Sequence, residues 1–124
     1  MNSVVDPTLE IYLQNTPLEK RKCIVKNIKN LHPDRVPILV GRGELKITPP
    51  IEIFKFLSPS DITFRIFSGE VRQHIKNIES HVALMFFVNN TIPVHSMTTQ
   101  QAYDRYKSED GFLYVTYVCE NTFG

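Results

Sequence analysis

The sequence has little net charge and no long apolar run. Its 14 Lys and Arg residues against 13 Asp and Glu residues leave a formal net charge of +1, whereas domains that bind nucleic acid usually carry a clearly basic face. We therefore expect no nucleic-acid partner. The longest apolar run is Val82–Val88, far short of the roughly 18 to 20 residues that a membrane-spanning helix needs. If the protein works on membranes, something has to attach it.

Cysteine is scarce as well, because Cys23 and Cys119 are the only two. Neither has a histidine near it in sequence that would activate a thiol for catalysis. The N-terminus lacks the basic segment, apolar run and small-residue cleavage site of a secretory signal. We expect a reduced cytoplasmic protein in which neither cysteine is catalytic.

Histidine is present in four copies, but the copies show no metal-ligand spacing and no cysteine pair accompanies them. These residues are His32, His74, His81 and His95. We expect no metal, no cofactor and no catalytic residue.

What the chain does have is enough apolar content for one folded domain. The length of 124 residues, with 42% hydrophobic and 22% charged residues, fits a single soluble core of about 100 to 150 residues. We expect a variable N-terminal extension at 1–15 that can form a short helix, a folded domain at 16–118, and a flexible tail at 119–124.

Helix signals dominate the N-terminal third. Asp6 before Pro7 predicts a short helix with an aspartate cap. Thr16, with Glu19 three residues later, has the pattern of a capping box that begins a second helix, which ends before Pro33. Its predicted apolar stripe consists of Ile24, Ile28 and Leu31.

Strand signals follow. The apolar run Val36–Val40 predicts a buried strand, in which Pro37 needs a position outside the hydrogen-bond ladder. A turn at Gly41–Gly43 and a second strand at Ile51–Leu57, closed by 58–60, together indicate a hairpin.

The rest of the chain alternates between helix and strand. The spacing of the apolar residues at 64, 67, 71 and 75 predicts an amphipathic helix over Thr63–Ile75. Val82–Val88 reads as a strand before an Asn89–Asn90 turn, and Thr98–Tyr106 as a short helix. After a turn at 110–111, Phe112–Val118 is the most strand-like stretch of the sequence.

This order of elements predicts helices packed on one sheet. A β-grasp is one fold that fits this order of elements. In it, a parallel return connection places the final strand in the middle of the sheet. Element order alone leaves other α+β arrangements open.

The C-terminal segment KSEDGFLYVTYVCENTFG, from Lys107 to Gly124, resembles the C-terminus of the autophagy ubiquitin-like modifiers, the family of GABARAP and the microtubule-associated light chain 3 proteins. Further matches follow in the family's order: LEKRK, PDRVPILV, KFLSPSDIT and FFVNNTIP. The resemblance spans about residues 17–124. It implies an α+β fold, the ubiquitin-like β-grasp with additional N-terminal helices.

The resemblance also implies a life cycle in which Gly124 is the conjugation site. A deconjugating cysteine protease, a ubiquitin-like activating enzyme and a conjugating enzyme would handle the tail, with Phe123 and Thr122 recognised, and phosphatidylethanolamine would receive the glycine. Glycine suits this role because it has no Cβ and threads a narrow channel. The protein would be cytoplasmic when free, and would reside on autophagosomal or vacuolar membrane through its lipid.

The family binds cargo receptors whose motifs have an aromatic residue and, three positions later, an aliphatic one. Such peptides add a strand to a sheet edge and place two side chains in pockets. By resemblance the aromatic pocket would be lined by Ile28, Pro37, Leu39, Lys55, Leu57 and Phe112. The aliphatic pocket would involve Phe56, Pro59, Ile62 and Phe67. From the residues alone, filling the core is the commoner role of such side chains.

Several positions depart from the family pattern, among them Val118 and Cys119, which replace a small polar pair before the tail. Ile24 stands where an acidic residue is usual, Ile53 where lysine is common, and Ser58 where an aliphatic is found, while His74 interrupts a basic helix end. We expect a peptide pocket that is more apolar and less charged than the family pattern.

Two other functions remain open. One is an unconjugated peptide-binding adaptor in vesicle or microtubule-linked trafficking. It differs from a lipid-conjugated modifier only in the chemistry of its tail. The other is a small cysteine-dependent enzyme, which alkylation of its cysteines would inactivate.

Overall fold

The computed structural model of the chain describes residues 4–120. The predicted tail positions Thr122, Phe123 and Gly124 lie outside this range. Eight helices and strands follow one another in the described part, and each is named here with its bounds: α1 Pro7–Asn15, α2 Leu18–Leu31, β1 Arg35–Arg42, β2 Lys55–Pro59, α3 Phe64–Gln73, β3 Leu84–Val88, α4 Thr99–Tyr106 and β4 Leu113–Cys119.

The four strands form one mixed sheet in the order β2-β1-β4-β3. β1 pairs antiparallel with β2 and parallel with β4, and β3 pairs antiparallel with β4. The last strand of the chain therefore lies inside the sheet, as predicted. With α1 and α2 added before it, this is the expected β-grasp with additional N-terminal helices.

Several strand boundaries differ from the predictions, two of them by a wide margin in the β1–β2 hairpin. Gly41 and Arg42 belong to β1 rather than to a turn, because parallel pairing with β4 continues to Arg42 opposite Tyr117. The second strand begins at Lys55 rather than Ile51, which forms only an isolated bridge with Ile75. Pairing between distant segments decided both boundaries, and local turn signals do not report it.

The predicted capping box at Thr16 is wrong. α2 begins at Leu18, Pro17 holds the N-cap position without a side-chain cap, and Thr16 instead ends α1. The predicted stripe of α2 also fails at Leu31, which is 75% exposed, whereas Val25 is the buried residue of this helix. The aspartate cap of α1 is confirmed, since Asp6 Oδ1 accepts the Thr8 amide at 3.1 Å.

Alternating side chains of the central strands fill two cores, one on each face of the sheet. Val36, Ile38 and Val40 point to the face that α3 and α4 cover, where the predicted helix stripe at 64, 67, 71 and 75 is buried. Leu39 points to the opposite face, with Leu9 of α1 and Val25 of α2. The sheet thus lies between two pairs of helices.

One carboxylate fastens α1 to the sheet. Asp6 Oδ2 accepts hydrogen bonds from the backbone amide and the side-chain Nε of Arg42, at 2.8 and 3.1 Å. The approach is close: a Cβ on Gly41 would lie 3.0 Å from a methyl of Leu9. Glycine at this position of β1 lets the helix pack directly on the strand.

A second buried carboxylate fastens α2. Asp110, which is 3% exposed, accepts the Arg21 Nε at 2.8 Å, the Phe112 amide at 2.9 Å and the Tyr114 hydroxyl. Arg21 also donates to the Thr16 carbonyl at the junction of α1 and α2. Burial, followed by the hydrogen bond to Asp110, raises the pKa of Tyr114 far above its usual range.

Replacing Asp110 with alanine should destabilise the domain strongly. The change leaves the largely buried Arg21 guanidinium and the Tyr114 hydroxyl without their acceptor, a loss that costs about 3 to 5 kcal/mol for a buried ion pair. Urea unfolding monitored by circular dichroism measures the effect. The control is Glu19→Ala, because the Glu19 carboxylate pairs with Lys22 at 3.7 Å and is 85% exposed, so the loss should stay below about 1 kcal/mol. Equal losses in the two variants would contradict the role given to Asp110.

Candidate functional site

A concave pocket opens where α1, α2 and the start of β2 meet. Its volume is about 490 Å³. α1 and α2 supply one wall, β2 supplies the other, and the residue before β4 contributes to the floor. The lining residues are Tyr12, Thr16, Lys20, Ile24, Ile28, Ile38, Lys55, Phe56, Leu57 and Phe112.

β2 is an edge strand, and its outer side makes no strand pairing within residues 4–120. The Val40 amide donates to the Phe54 carbonyl at 2.8 Å. In an antiparallel pair, successive residues alternately point their backbone groups toward and away from the partner strand. The backbone groups of Lys55 and Leu57 consequently point away from β1. An incoming extended segment would find donors and acceptors there, with only the Arg35 side chain approaching the Leu57 carbonyl, at 3.4 Å.

The side chains of Lys55 and Leu57 share the face of the sheet that α1 and α2 cover. Leu57 is 42% exposed at the mouth of the pocket. Phe112 is buried at its floor. The edge thus offers backbone hydrogen-bonding groups and an apolar depression at one place, the combination that strand addition of a peptide requires.

Lys55 is held over aromatic rings. Its Nζ lies 4.4 Å from the centroid of Tyr12 and 5.5 Å from that of Phe54, and these two rings pack edge to face at 5.5 Å. Throughout the described chain no carboxylate forms an ion pair with this ammonium group. Lys55 therefore presents a positive charge at the pocket without a competing internal acid.

Every charged side chain that lines the pocket is a lysine, since Lys20 is the other. The pKa of Tyr12 is raised by burial, with Arg21 opposing and Asp110 reinforcing the rise. Its hydroxyl therefore stays protonated at neutral pH and available as a donor. The rim is positive and the interior apolar.

The structure brings four of the six predicted aromatic-pocket residues together, namely Ile28, Lys55, Leu57 and Phe112. The other two, Pro37 and Leu39, are buried in β1 behind the pocket. Pro37 has no backbone N–H and so needs a position outside the hydrogen-bond ladder. It has one, because pairing with β4 begins only at Ile38.

Of the four predicted aliphatic-pocket residues, Phe56, Ile62 and Phe67 belong to the core that α3 and α4 cover, and Phe56 also lines the pocket described above. Phe67 is fully buried, and Phe56 packs edge to face against it at 5.6 Å. Phe56 and Ile62 are partly buried against the same core, and Pro59 ends the edge strand. Phe67 is thus closed off from solvent, whereas Phe56, Pro59 and Ile62 are each partly accessible.

Sequence reasoning missed Tyr12, Thr16, Lys20 and Ile38 as lining residues. Tyr12 and Thr16 come from the region expected to be variable, and only the packing of α1 on β1 brings them to the pocket. Among the departures from the family pattern, Ile24 does line the pocket, and the His74 ring lies 5.7 Å from Phe56. Ser58 is buried, whereas Ile53 is exposed.

Three further features of the described residues concern metal binding, thiol reactivity and membrane spans. Residues 4–120 hold no group of three His, Cys, Asp or Glu side chains placed to bind a metal ion. Burial raises the pKa of the Cys119 thiol, which lowers its thiolate fraction at neutral pH. None of the helices in this range is long and apolar enough to cross a membrane.

Comparison with known proteins gives a consistent set of matches. The family model described as "Autophagy protein Atg8 ubiquitin like" matches residues 20–124. Autophagy-related protein 8 of Dictyostelium discoideum is 44% identical over 108 residues, covering 87% of this chain and 88% of the relative. Autophagy-related protein 8c of Arabidopsis thaliana is 43% identical over 108 residues, covering 87% and 90%.

Solved structures agree with these sequence matches. The crystal structure of Trypanosoma brucei ATG8 superposes with a TM-score of 0.81 at 34% identity, covering 91% of this chain and 97% of that one. Plasmodium falciparum Atg8, solved in complex with a Plasmodium falciparum Atg3 peptide, gives a TM-score of 0.79 at 29% identity, and 98% of each chain is covered.

The contact between Lys55 and Tyr12 should be measurable as a coupling energy. In a double-mutant cycle of Lys55→Met and Tyr12→Leu, which keep apolar bulk at both positions, we expect a coupling of about 0.5 to 1 kcal/mol in the free energy of unfolding, the size of a partly exposed cation–π contact. Urea unfolding of the four proteins gives this value. Strictly additive effects would show that the lysine is not held by the ring.

Proposed function

The chain belongs to the Atg8 family of autophagy-related ubiquitin-like proteins, and from this premise we propose that its Gly124 carboxyl group is conjugated to phosphatidylethanolamine. As a family member it is a ubiquitin-like modifier in autophagy. The observation that carries the proposal is the family match, which runs to the last residue of the chain and so includes the tail. Glycine at this position suits transfer through thioesters, because no side chain hinders the carboxyl group.

The attached lipid supplies membrane residence. Within residues 4–120 no helix can cross a bilayer, and a diacyl lipid brings two acyl chains, each buried methylene contributing about 0.8 kcal/mol. Two chains anchor stably until the amide bond is cut. The protein is then cytoplasmic when free and resident on autophagosomal or vacuolar membrane when lipidated.

The partners follow from this chemistry. A ubiquitin-like activating enzyme and a conjugating enzyme carry the glycine as a thioester, and a deconjugating cysteine protease releases the protein from the lipid. Thr122 and Phe123 are the residues through which these enzymes recognise the tail. The modifier itself performs no catalysis and needs no cofactor.

A second part of the proposal concerns the pocket beside β2. Peptides of cargo receptors with an aromatic residue and an aliphatic residue three positions later add as a strand along Lys55–Leu57. The aromatic side chain enters the pocket, and the aliphatic one packs at Phe56, Pro59, Ile62 and Phe67 after small movements of the partly exposed members. The Plasmodium falciparum relative, solved with an Atg3 peptide, supports peptide binding and a conjugating-enzyme partner.

Leu57→Asp should abolish peptide binding while the domain stays folded. The side chain is 42% exposed, so a charge there costs the fold little, but it places a carboxylate at the mouth of an apolar pocket. Titration calorimetry with an aromatic-x-x-aliphatic peptide measures the loss from a micromolar affinity. Ile92→Asp, at a 58% exposed position of the loop after β3, is the matched control and should bind normally. Unchanged affinity in Leu57→Asp would remove the pocket from the proposal.

Lys55→Ala should act more selectively. Peptides with acidic residues beside the motif should lose roughly 0.5 to 2 kcal/mol, and more at low salt, because the contact is partly screened. Peptides without such residues should bind almost as before. The same loss for both kinds of peptide would argue against a charge contact at Lys55.

Deleting Gly124, or replacing it with alanine, should stop conjugation without disturbing the fold or the pocket, because the tail follows the last strand. Thioester formation with the activating enzyme and membrane flotation after starvation are the two measurements. The variant should form no thioester and stay in the soluble fraction. The decisive cells lack the native copy. If the Gly124-deleted chain still floated with membranes there, lipid conjugation would be wrong and the unconjugated adaptor would be the better interpretation.

A further inference from the structure

Two large aliphatic side chains stand exposed on the loop that leaves β1. Leu45 is 43% exposed and Ile47 is 54% exposed. Neither belongs to the two cores on the faces of the sheet. Single exposed aliphatic side chains are common at protein surfaces, so these two stand out by their place in one loop rather than by exposure alone.

The loop that carries them is held in shape by one carboxylate. Glu44 accepts hydrogen bonds from the backbone amides of Lys46, Ile47 and Thr48, at 3.1, 3.0 and 2.9 Å, and from the Thr48 hydroxyl at 2.7 Å. The Thr48 hydroxyl is the main cause of a lowered pKa at Glu44, with the backbone amides adding to it. Glu44 stays ionised, and the loop presents its two aliphatic side chains in a fixed arrangement.

The same loop is fastened to the end of β4, where the conjugation tail begins. Thr48 Oγ1 accepts the Cys119 amide at 3.1 Å, the Pro49 carbonyl accepts the Tyr117 hydroxyl at 2.7 Å, and the Gly43 amide donates to the Tyr117 carbonyl at 2.8 Å. Four residues follow Glu120. At most about 14 Å of extended chain, at roughly 3.3 to 3.6 Å per residue, therefore separates Glu120 from the Gly124 carboxyl group.

We propose that Leu45 and Ile47, here called the loop surface, are a docking site for the activating enzyme that binds the free carboxyl group of Gly124. This inference rests on the proposed function. An enzyme that binds the Gly124 carboxyl group, no more than about 14 Å from Glu120, has the loop within reach of its own surface. Burying two preorganised aliphatic side chains there adds affinity without a cost for ordering the loop.

The chemistry of the loop favours a protein over a lipid surface as the occupant. Lys46, between the two aliphatic residues, offsets the charge of Glu44, so the loop carries no net positive charge to draw it to anionic lipid headgroups. Two side chains are also little apolar area for insertion into a bilayer. A protein surface with an apolar depression and a donor for Glu44 suits the loop better.

The test is thioester formation by the full chain with its activating enzyme and ATP, measured over a range of modifier concentrations. The Leu45→Ser, Ile47→Ser double variant should raise KM roughly tenfold, as the loss of two well-buried interface contacts does, with kcat changed less than about twofold because the tail itself is intact. The matched control is the Ile66→Ser, Ile92→Ser double variant, which removes two aliphatic side chains of similar exposure, 53% and 58%, outside the loop. It should react like the wild type.

Peptide affinity at the β2 edge should be the same in all three proteins. A double variant of the loop surface with the wild-type KM would overturn the docking site while leaving conjugation in place. If that variant instead lost membrane flotation after lipidation, or lost self-association in sedimentation, with KM unchanged, the occupant would be a membrane or a second copy and the proposal would be wrong. A wild-type chain that formed no thioester would overturn both the docking site and the proposed function.

Discussion

Asp110 accepts three hydrogen bonds that tie α2 to the last strand of the sheet. The donors are the side chain of Arg21 from α2, the Phe112 amide just before β4 and the hydroxyl of Tyr114 in β4. Arg21 in turn reaches the carbonyl of Thr16 where α1 meets α2. A buried charge is tolerated only when all its partners are in place, so this contact strongly constrains where α2 and its junction with α1 lie.

The pocket is a consequence of that placement. One of its walls comes from α1 and α2 and the other from the edge strand β2, so a shift of either helix would close or flatten it. Asp6 adds a second tether by binding Arg42 at the end of β1. With the helices fixed, the Tyr12 ring meets the Lys55 ammonium group, and the positive charge is kept at the rim beside the open backbone of the strand.

The two regions to which functions are proposed lie apart in the domain. The edge of β2 and the pocket lie beside the N-terminal helices, whereas the loop surface lies at the end of β4, where the tail leaves the domain. β4 joins the two regions: Phe112 before its start is the floor of the pocket, and Cys119 at its end is bound to Thr48 of the loop. On the proposed functions, a peptide and a tail-binding enzyme would therefore contact different regions of the domain.

The sequence by itself determined the types and order of the elements, because the spacing at 64, 67, 71 and 75, the aspartate before Pro7 and the aromatic, β-branched run at 112–118 are local signals of single elements. It also marked Lys55, Leu57, Ile28 and Phe112 through family resemblance. Only the tertiary structure decided that β1 extends through Arg42, that Thr16 ends α1 instead of capping α2, and that Tyr12 and Lys20 line the pocket. The physical reason is that strand pairing, buried ion pairs and pocket walls join residues far apart in the chain, such as Arg21 and Asp110, and no local pattern encodes which distant partner a side chain will meet.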